Sequence, residues 1–405
     1  MTPAGDELRA LGAWEIAEAV RARRVTPEEV IDAFAGPLEA EDLNAVITLC
    51  LDEARARARA GVTGPLAGVP VLVKDLFDTA GVRTTYGSSL FAGHVPTVTA
   101  TAVERWERAG ALVLGKANLH EFAWGVTSQN PHYGTVGNPV RPGSVAGGSS
   151  GGSAAGLAAG LCALALGTDT GGSVRIPAAC CDVVGYKPRI GAVPEAGCRP
   201  LSPSFDVMGA MARSVRDTVL GHAALTGADV PAARLDGLVV GVLGEVPEAA
   251  RLAALGARLT AAELPEPEAD VVPLFMLECA VTHRDTFPSR REAYGPDIAE
   301  KLDMARLVPA IDVEEARRAL PRWRATATEL PAVDLVVSPT LGIPVPADDC
   351  WELDVRGGLT LHTRPWNLLD WPAIAVGPLQ IAGRDETVVL GAALAWEEAY
   401  GPPGG

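Results

Sequence analysis

Two short loops rich in glycine and serine are the first candidates for chemistry. They are Gly147-Gly148-Ser149-Ser150-Gly151-Gly152-Ser153 and Thr168-Asp169-Thr170-Gly171-Gly172-Ser173. Glycine lets backbone approach a ligand closely and leaves N–H groups pointing inward. A serine hydroxyl beside such donors is a nucleophile next to a site for a developing oxyanion. Gly/Ser clusters are also ordinary turns. Two of them flanking one small-residue segment, 154–167, weaken that reading.

A nucleophilic serine needs a base. The six histidines, His94, His120, His132, His222, His283 and His362, have no spacing that marks a triad. Lys74 directly follows 69–73, an apolar β-branched run read as a buried strand. A lysine desolvated at such a strand end has a lowered pKa and acts as a base. Position alone favours the alternative, an exposed lysine paired with Asp75 or Asp78. Residues 147–151 also fit G-x-S-x-G, a nucleophile elbow. The preceding 138–146 holds two prolines and a glycine and does not read as the strand an elbow requires. Neither loop is followed by Gly-Lys-Ser/Thr, so neither reads as a phosphate-binding loop.

Positioning these loops takes a layered fold. The first sixty residues read as helices: 13–24 has helical apolar spacing, Thr26-Pro27-Glu28-Glu29 is a helix start, and 54–60 is a solvated helix. From residue 69 onward strands and helices alternate, which predicts the α/β class. Further strands are expected at 111–115, 236–243, 335–337 and 373–376. Helices are expected at 101–109, 252–264 and 314–330. The stretch 144–172 reads as loop, tightly packed small-residue helix, short strand and second loop. No repeat or linker interrupts the chain, so one interwoven domain is expected.

Composition narrows the function. A chain of 405 residues that is 48% hydrophobic can build a sizeable core. Its 44 glycines and 32 prolines stay below the level that marks disorder. A net charge of −16 with no Lys/Arg-rich run argues against nucleic-acid binding. Residues 1–5 do not read as a secretory signal, and no apolar run is long enough for a membrane span. The seven cysteines (Cys50, Cys162, Cys180, Cys181, Cys198, Cys279 and Cys350) are odd in number and scattered. Neither a disulfide framework nor a metal site is expected. The expectation is a soluble, cytoplasmic protein.

Residues 147–188, GGSSGGSAAGLAAGLCALALGTDTGGSVRIPAACCDVVGYKP, resemble the signature of the amidase signature family. The resemblance extends to Gly68-Val69-Pro70-Val71-Leu72-Val73-Lys74-Asp75, to 115–123, and to Asn130-Pro131-His132-Tyr133-Gly134. It is strong from about 67 to 216 and weaker through Ser338-Pro339-Thr340 and Asn367-Leu368-Leu369-Asp370-Trp371-Pro372. It implies a central mixed β-sheet covered by helices on both faces. The helical N-terminal segment would run to about 62, the signature core over about 67–216, and an abbreviated C-terminal part over about 236–405. It also implies an amide hydrolase with a Ser–cis-Ser–Lys triad. Ser173 matches the nucleophile, Ser149 the bridging serine and Lys74 the base. The backbone N–H groups of Thr170, Gly171, Gly172 and Ser173 match the oxyanion hole. Ala123, Trp124 and Gly125 match an acyl-pocket wall, although Trp124 also reads as a core aromatic. Arg175 reads as a partner of Asp169, and Lys116 and His120 as structural. The substrate would be a small amide, no cofactor is implied, and a homodimer is compatible with the sequence.

The sequence also departs from the family pattern. Asp182 stands where glycine is usual, and Arg189 where Thr commonly follows Lys-Pro. The C-terminal part is short: the strand–turn–strand that the family spends after 376 is reduced to a direct run to Arg384. Two other functions are carried alongside. One is the amidase component of a tRNA-dependent amidotransferase, which would need a partner; Ile176 stands where that subfamily has Gln. The other is a catalytically silent homologue that binds ligands.

Overall fold

The computed structural model describes residues 5–328 and 333–404. Eleven strands form one sheet: β1 (Val46–Leu49), β2 (Pro70–Lys74), β3 (Leu112–Ala117), β4 (Leu164–Asp169), β5 (Val184–Lys187), β6 (Val207–Ala212), β7 (Val239–Val242), β8 (Arg258–Ala261), β9 (Leu335–Pro339), β10 (Ala373–Val376) and β11 (Leu379–Ala382). Their order is β1-β3-β2-β4-β6-β5-β10-β11-β9-β7-β8. The sheet is mixed. β2 runs parallel to β3 and β4, whereas β4 and β6 are antiparallel. Successive strand side chains point to opposite faces, so strands buried at every position must be covered on both. That is the state of β2 to β6 and of β10 and β11. The expected α/β class and mixed sheet are therefore observed.

Several elements follow their sequence signals closely. Thr26 caps helix Pro27–Glu39 by accepting from the Glu29 N–H, and the Glu29 carboxylate accepts from the Thr26 N–H at 2.8 Å. This is a reciprocal capping box. Helix Gly151–Ala158 is the expected small-residue helix, with seven of its residues buried. A Cβ on Gly152 would lie 2.4 Å from the Ala45 carbonyl oxygen and 2.5 Å from that of Asn118. Only glycine lets this helix close on the backbone beside β1 and β3.

Other expectations are corrected. The first sixty residues are not all helical: 46–49 forms β1, paired antiparallel with β3. The helix expected at 252–264 is instead helix Ala249–Ala254 followed by β8. Gly256, at φ +88°, ends the helix, and the exposed strand beyond gains backbone hydrogen bonds to β7. The helix expected at 314–330 runs over Ala310–Thr328, with 329 and 330 outside the described residues. The run after 376 keeps a strand–turn–strand in its shortest form, β10 and β11 joined by Gly377-Pro378. Among the described residues no helix is long and apolar enough to cross a membrane.

Candidate active site

Lys74 ends β2 with its side chain fully buried. The alternative ion pair with Asp75 or Asp78 does not form. Asp75 faces Lys116 at 3.5 Å and accepts from the Thr85 hydroxyl at 2.6 Å, while Asp78 accepts from the Tyr86 hydroxyl. Lys74 Nζ lies instead 2.7 Å from Ser149 Oγ, 3.0 Å from Ser150 Oγ and 2.8 Å from Thr168 Oγ1. Burial removes the water that would solvate an ammonium and brings the Lys74 pKa down to about 7. The weaker fields of Cys198, Asp169 and Asp206 act in the opposite direction.

The first Gly/Ser loop presents Ser149 to this amine. The Gly148–Ser149 peptide bond is cis. The Ser149 carbonyl accepts from the His120 N–H at 3.1 Å and from the Ser128 hydroxyl at 3.4 Å. The Ser150 N–H donates to the Ser173 carbonyl at 3.2 Å, which ties the two loops together. No strand precedes the first loop, so the elbow reading is excluded.

The second loop is shaped by Asp169 at the end of β4. Its carboxylate accepts from the Gly172 N–H at 2.7 Å and the Val174 N–H at 3.2 Å. Arg175 meets the same carboxylate in a fork, Nε to Oδ2 at 3.0 Å and Nη2 to Oδ1 at 2.9 Å. This is the expected pairing. Burial alone would raise the Asp169 pKa, but the Arg175 charge and its hydrogen bonds hold it at about 2. Arg175 also reaches the Thr363 carbonyl, Asn367 Oδ1 and Gln380 Oε1 at 2.7–2.8 Å. Of the four N–H groups matched to an oxyanion hole, that of Gly172 is thus already committed to Asp169. Ser173 is 7% exposed, and its hydroxyl has no hydrogen-bond partner among the described residues.

Ser173, Thr170 and Gly171 border a cavity of about 160 Å³, together with Ala123, Trp124 and Gly125. The structure therefore brings the expected wall and the second loop to one space. Trp124 is both pocket wall and core aromatic: it is 1% exposed and packs edge-on to Phe275 at 5.9 Å. Lys116 is buried in a hydrogen-bonded position away from that lining, whereas the buried His120 ring packs directly behind Gly125 of the wall and pairs with Asp297. The departures from the family pattern also have partners. Asp182 adopts φ +50°, the conformation that favours glycine, and pairs with Arg141 at 2.8 Å. Arg189 lies 3.7 Å from Asp370.

Sequence reasoning missed the opposite wall, which comes from 272–304 and 353–368. There Lys301 bridges Asp297 at 2.8 Å and Glu352 at 2.7 Å, and donates to the Trp124 carbonyl at 2.7 Å. His120 reaches Asp297 at 2.8 Å, and Arg356 reaches Glu352 at 2.8 Å. Burial raises both carboxyls, but the cations overcome it and hold Asp297 and Glu352 below the ordinary range. No local motif marks these residues. The i,i+4 pairs Asp297/Lys301 and Glu352/Arg356 were the one available signal, and such pairs are common on helix surfaces. Among the described residues no group of His, Cys, Asp and Glu is placed to hold a metal ion.

The family model for amidases matches residues 29–239. An amidase of Pseudomonas putida is 36% identical over 399 residues, covering 87% of this chain and 82% of that protein. A glutamyl-tRNA(Gln) amidotransferase subunit of Anaeromyxobacter dehalogenans (strain 2CP-C) is 44% identical over 238 residues, covering 56% of this chain. The match spans 48% of the length of that protein. A crystal structure of an amidase superposes with a TM-score of 0.86 at 32% identity, covering 96% of this chain and 99% of that one. By its signature, its fold and these matches, the chain belongs to the amidase signature family.

Proposed function

We propose that the protein hydrolyses small carboxamides through Ser173, Ser149 and Lys74. The observation that carries this reading is the 2.7 Å approach of a fully buried lysine amine to the Ser149 hydroxyl. With its pKa near 7, about half of Lys74 is neutral at neutral pH. Neutral Lys74 takes the Ser149 proton as Ser149 takes that of Ser173. The Ser173 hydroxyl has no hydrogen-bond partner among the described residues, and the relay requires its contact to Ser149 to form with substrate seated. Ser173 Oγ forms a bond to the amide carbonyl carbon, and the carbonyl electron pair moves to oxygen. The N–H groups of Gly171 and Ser173, with Thr170 beside them, receive that oxyanion. Removing one such donor costs about 3–4 kcal/mol of transition-state stabilisation. Gly172 serves differently, since its N–H fixes the loop through Asp169. The proton then returns through Ser149 to the leaving nitrogen, and the C–N bond breaks. Water attacks the acyl-enzyme, delivers its proton along the same relay and releases the carboxylate.

Likeness to the amidotransferase protein supports a second reading, in which the released ammonia passes to a partner protein. A third treats the chain as a silent binding protein. Ammonia and amine release from a panel of small amides decides among them, with purified protein beside Ser173→Ala. Release by the first alone supports an autonomous serine amidase. Release that appears only after a partner is added supports the second reading, and equal, background release overturns the hydrolase reading. The whole chain is read as one domain, because β10 from the C-terminal part pairs with β5 of the signature core.

A further inference from the structure

Three cationic side chains, Lys301, Arg356 and Arg364, border the cavity, and no Asp or Glu does so among the described residues. In a chain with net charge −16 this asymmetry is local. Two of the three are neutralised in place: Lys301 between Asp297 and Glu352, and Arg356 on Glu352. Two bases and two acids cancel there. Arg364 has no ion pair or hydrogen bond among the described residues. Asp270 is near enough for its field to be felt but forms no ion pair with it.

The position of Arg364 is fixed by its neighbours. Thr363 donates its hydroxyl to the Gly171 carbonyl at 2.8 Å, and Asn367 donates to the Asp169 carboxylate at 2.8 Å. Both anchors lie in the Ser173 loop. A Cβ on Gly171 would lie 4.0 Å from Arg364 Cγ, so the arginine stem lies against the loop that faces the substrate carbonyl. Much of the remaining wall is apolar, including Trp124, Phe205 and Phe275. Arg364 stands at the exposed mouth of the cavity, where it also borders an outer groove carrying Asp270. An ion pair formed there is partly screened, and its selectivity comes from the planar guanidinium fork that matches a carboxylate. Burial and the nearby Arg356 charge both disfavour the Arg364 cation, and a bound anion relieves that.

We propose that Arg364 is the anion-recognising end of this cavity, and that the preferred substrates are small amides bearing a carboxylate on the acyl fragment. The proposal rests on the amidase reading above and names its substrate class. The acyl side is assigned because only that fragment stays bound once the C–N bond has broken. The leaving fragment must vacate the side from which water enters. A cavity of about 160 Å³ suits a short acyl chain, since about 150 Å³ holds a benzene-sized group.

The test pairs succinamate with butyramide, two amides of similar length that differ in the carboxylate. Binding of each to Ser173→Ala protein is measured by calorimetry, with and without Arg364→Gln. Turnover of each is measured on wild type, Arg364→Gln and Arg364→Lys. Succinamate should bind Ser173→Ala protein at least about tenfold more tightly than butyramide, and Arg364→Gln should erase the difference. In turnover, Arg364→Gln should raise KM for succinamate about 10- to 100-fold, the range for one lost charge-assisted hydrogen bond. Any loss for butyramide should be several-fold smaller than that for succinamate, and Arg364→Lys should restore part of the succinamate preference. Equal binding of the two amides overturns the proposal, as does a preference that survives Arg364→Gln. Selective binding by Ser173→Ala protein without turnover by wild type upholds the anion subsite and overturns the hydrolase reading.

Discussion

Thr363 donates its hydroxyl to the Gly171 carbonyl at 2.8 Å across 192 residues of sequence. Asn367 likewise donates to the Asp169 carboxylate, and Gln380 accepts from the Arg175 guanidinium. The Ser173 loop is therefore shaped by side chains from the last fifty residues of the chain, and its own glycines only permit the shape.

On the proposed mechanism, Lys74 sets the pH dependence. Its folded pKa is lowered to about 7, so below that pH the amine is an ammonium and cannot accept a proton. The rate constant kcat/KM should fall about tenfold per unit below pH 7 and level off above about pH 8. A profile between about pH 5.5 and 9 checks this; a flat profile would remove Lys74 as the base. Lys74→Arg, which stays charged throughout, should lower kcat by about 10²–10⁴-fold.

Arg175 and Asp169 form a fully buried pair. Arg175→Met leaves a buried carboxylate without its cation. The expected loss is about 3–5 kcal/mol of folding stability. Chemical denaturation of wild type and variant measures it. A loss below about 1 kcal/mol would mean that the other donors to Asp169 suffice.

The two loop glycines should respond differently to alanine. At Gly172, φ is +129° and a Cβ would sit 2.2 Å from Thr363 Oγ1. At Gly171 the nearest atom is Arg364 Cγ at 4.0 Å, and φ lies outside the left-handed region. Gly172→Ala should lower kcat about 10²-fold or more through a displaced loop, and Gly171→Ala by no more than about threefold. Steady-state kinetics on the two purified variants decides, and equal effects would sink the distinction.

Lys301 holds Asp297, Glu352 and the Trp124 carbonyl together. Lys301→Met leaves two buried carboxylates facing one another with less cation between them. We expect about 3–5 kcal/mol of lost stability, with the loss shrinking as pH falls and these acids gain protons. The sign follows from their lowered folded pKa values, which stabilise the fold above the unfolded pKa and cease to do so as pH falls. Denaturation at two pH values measures both.

The family resemblance over 147–188 and 68–75 singles out the two loops and Lys74, whereas residue types alone leave the loops readable as turns and Lys74 as an exposed, paired lysine. The residues that surround them were not. Lys301, Arg356 and Arg364 lie on helices in a stretch with little family resemblance, and each is an ordinary surface residue by sequence. Only the sheet order, which seats β10 beside β5, brings that stretch to the loops. The segment 252–264 shows a related gap: β8 is exposed along its length, so its sequence has no alternation to read. Pairing with β7 decides its state. The resemblance matches the Gly172 N–H to an oxyanion hole along with three others, and only the structure shows that this one donates to Asp169.

The insertion of β10 between β5 and β11 also has a temporal meaning. Translation runs from N- to C-terminus, so both serines and the lysine emerge well before Thr363, Asn367 and Gln380. Until those three arrive, Arg175 has only its fork with Asp169 and lacks its other three acceptors, and the Ser173 loop lacks its outer braces. A nascent chain stalled before residue 363 thus carries Lys74, Ser149 and Ser173 without the frame that braces the Ser173 loop. The Ser173 loop therefore takes its full shape only after the chain through Gln380 has emerged.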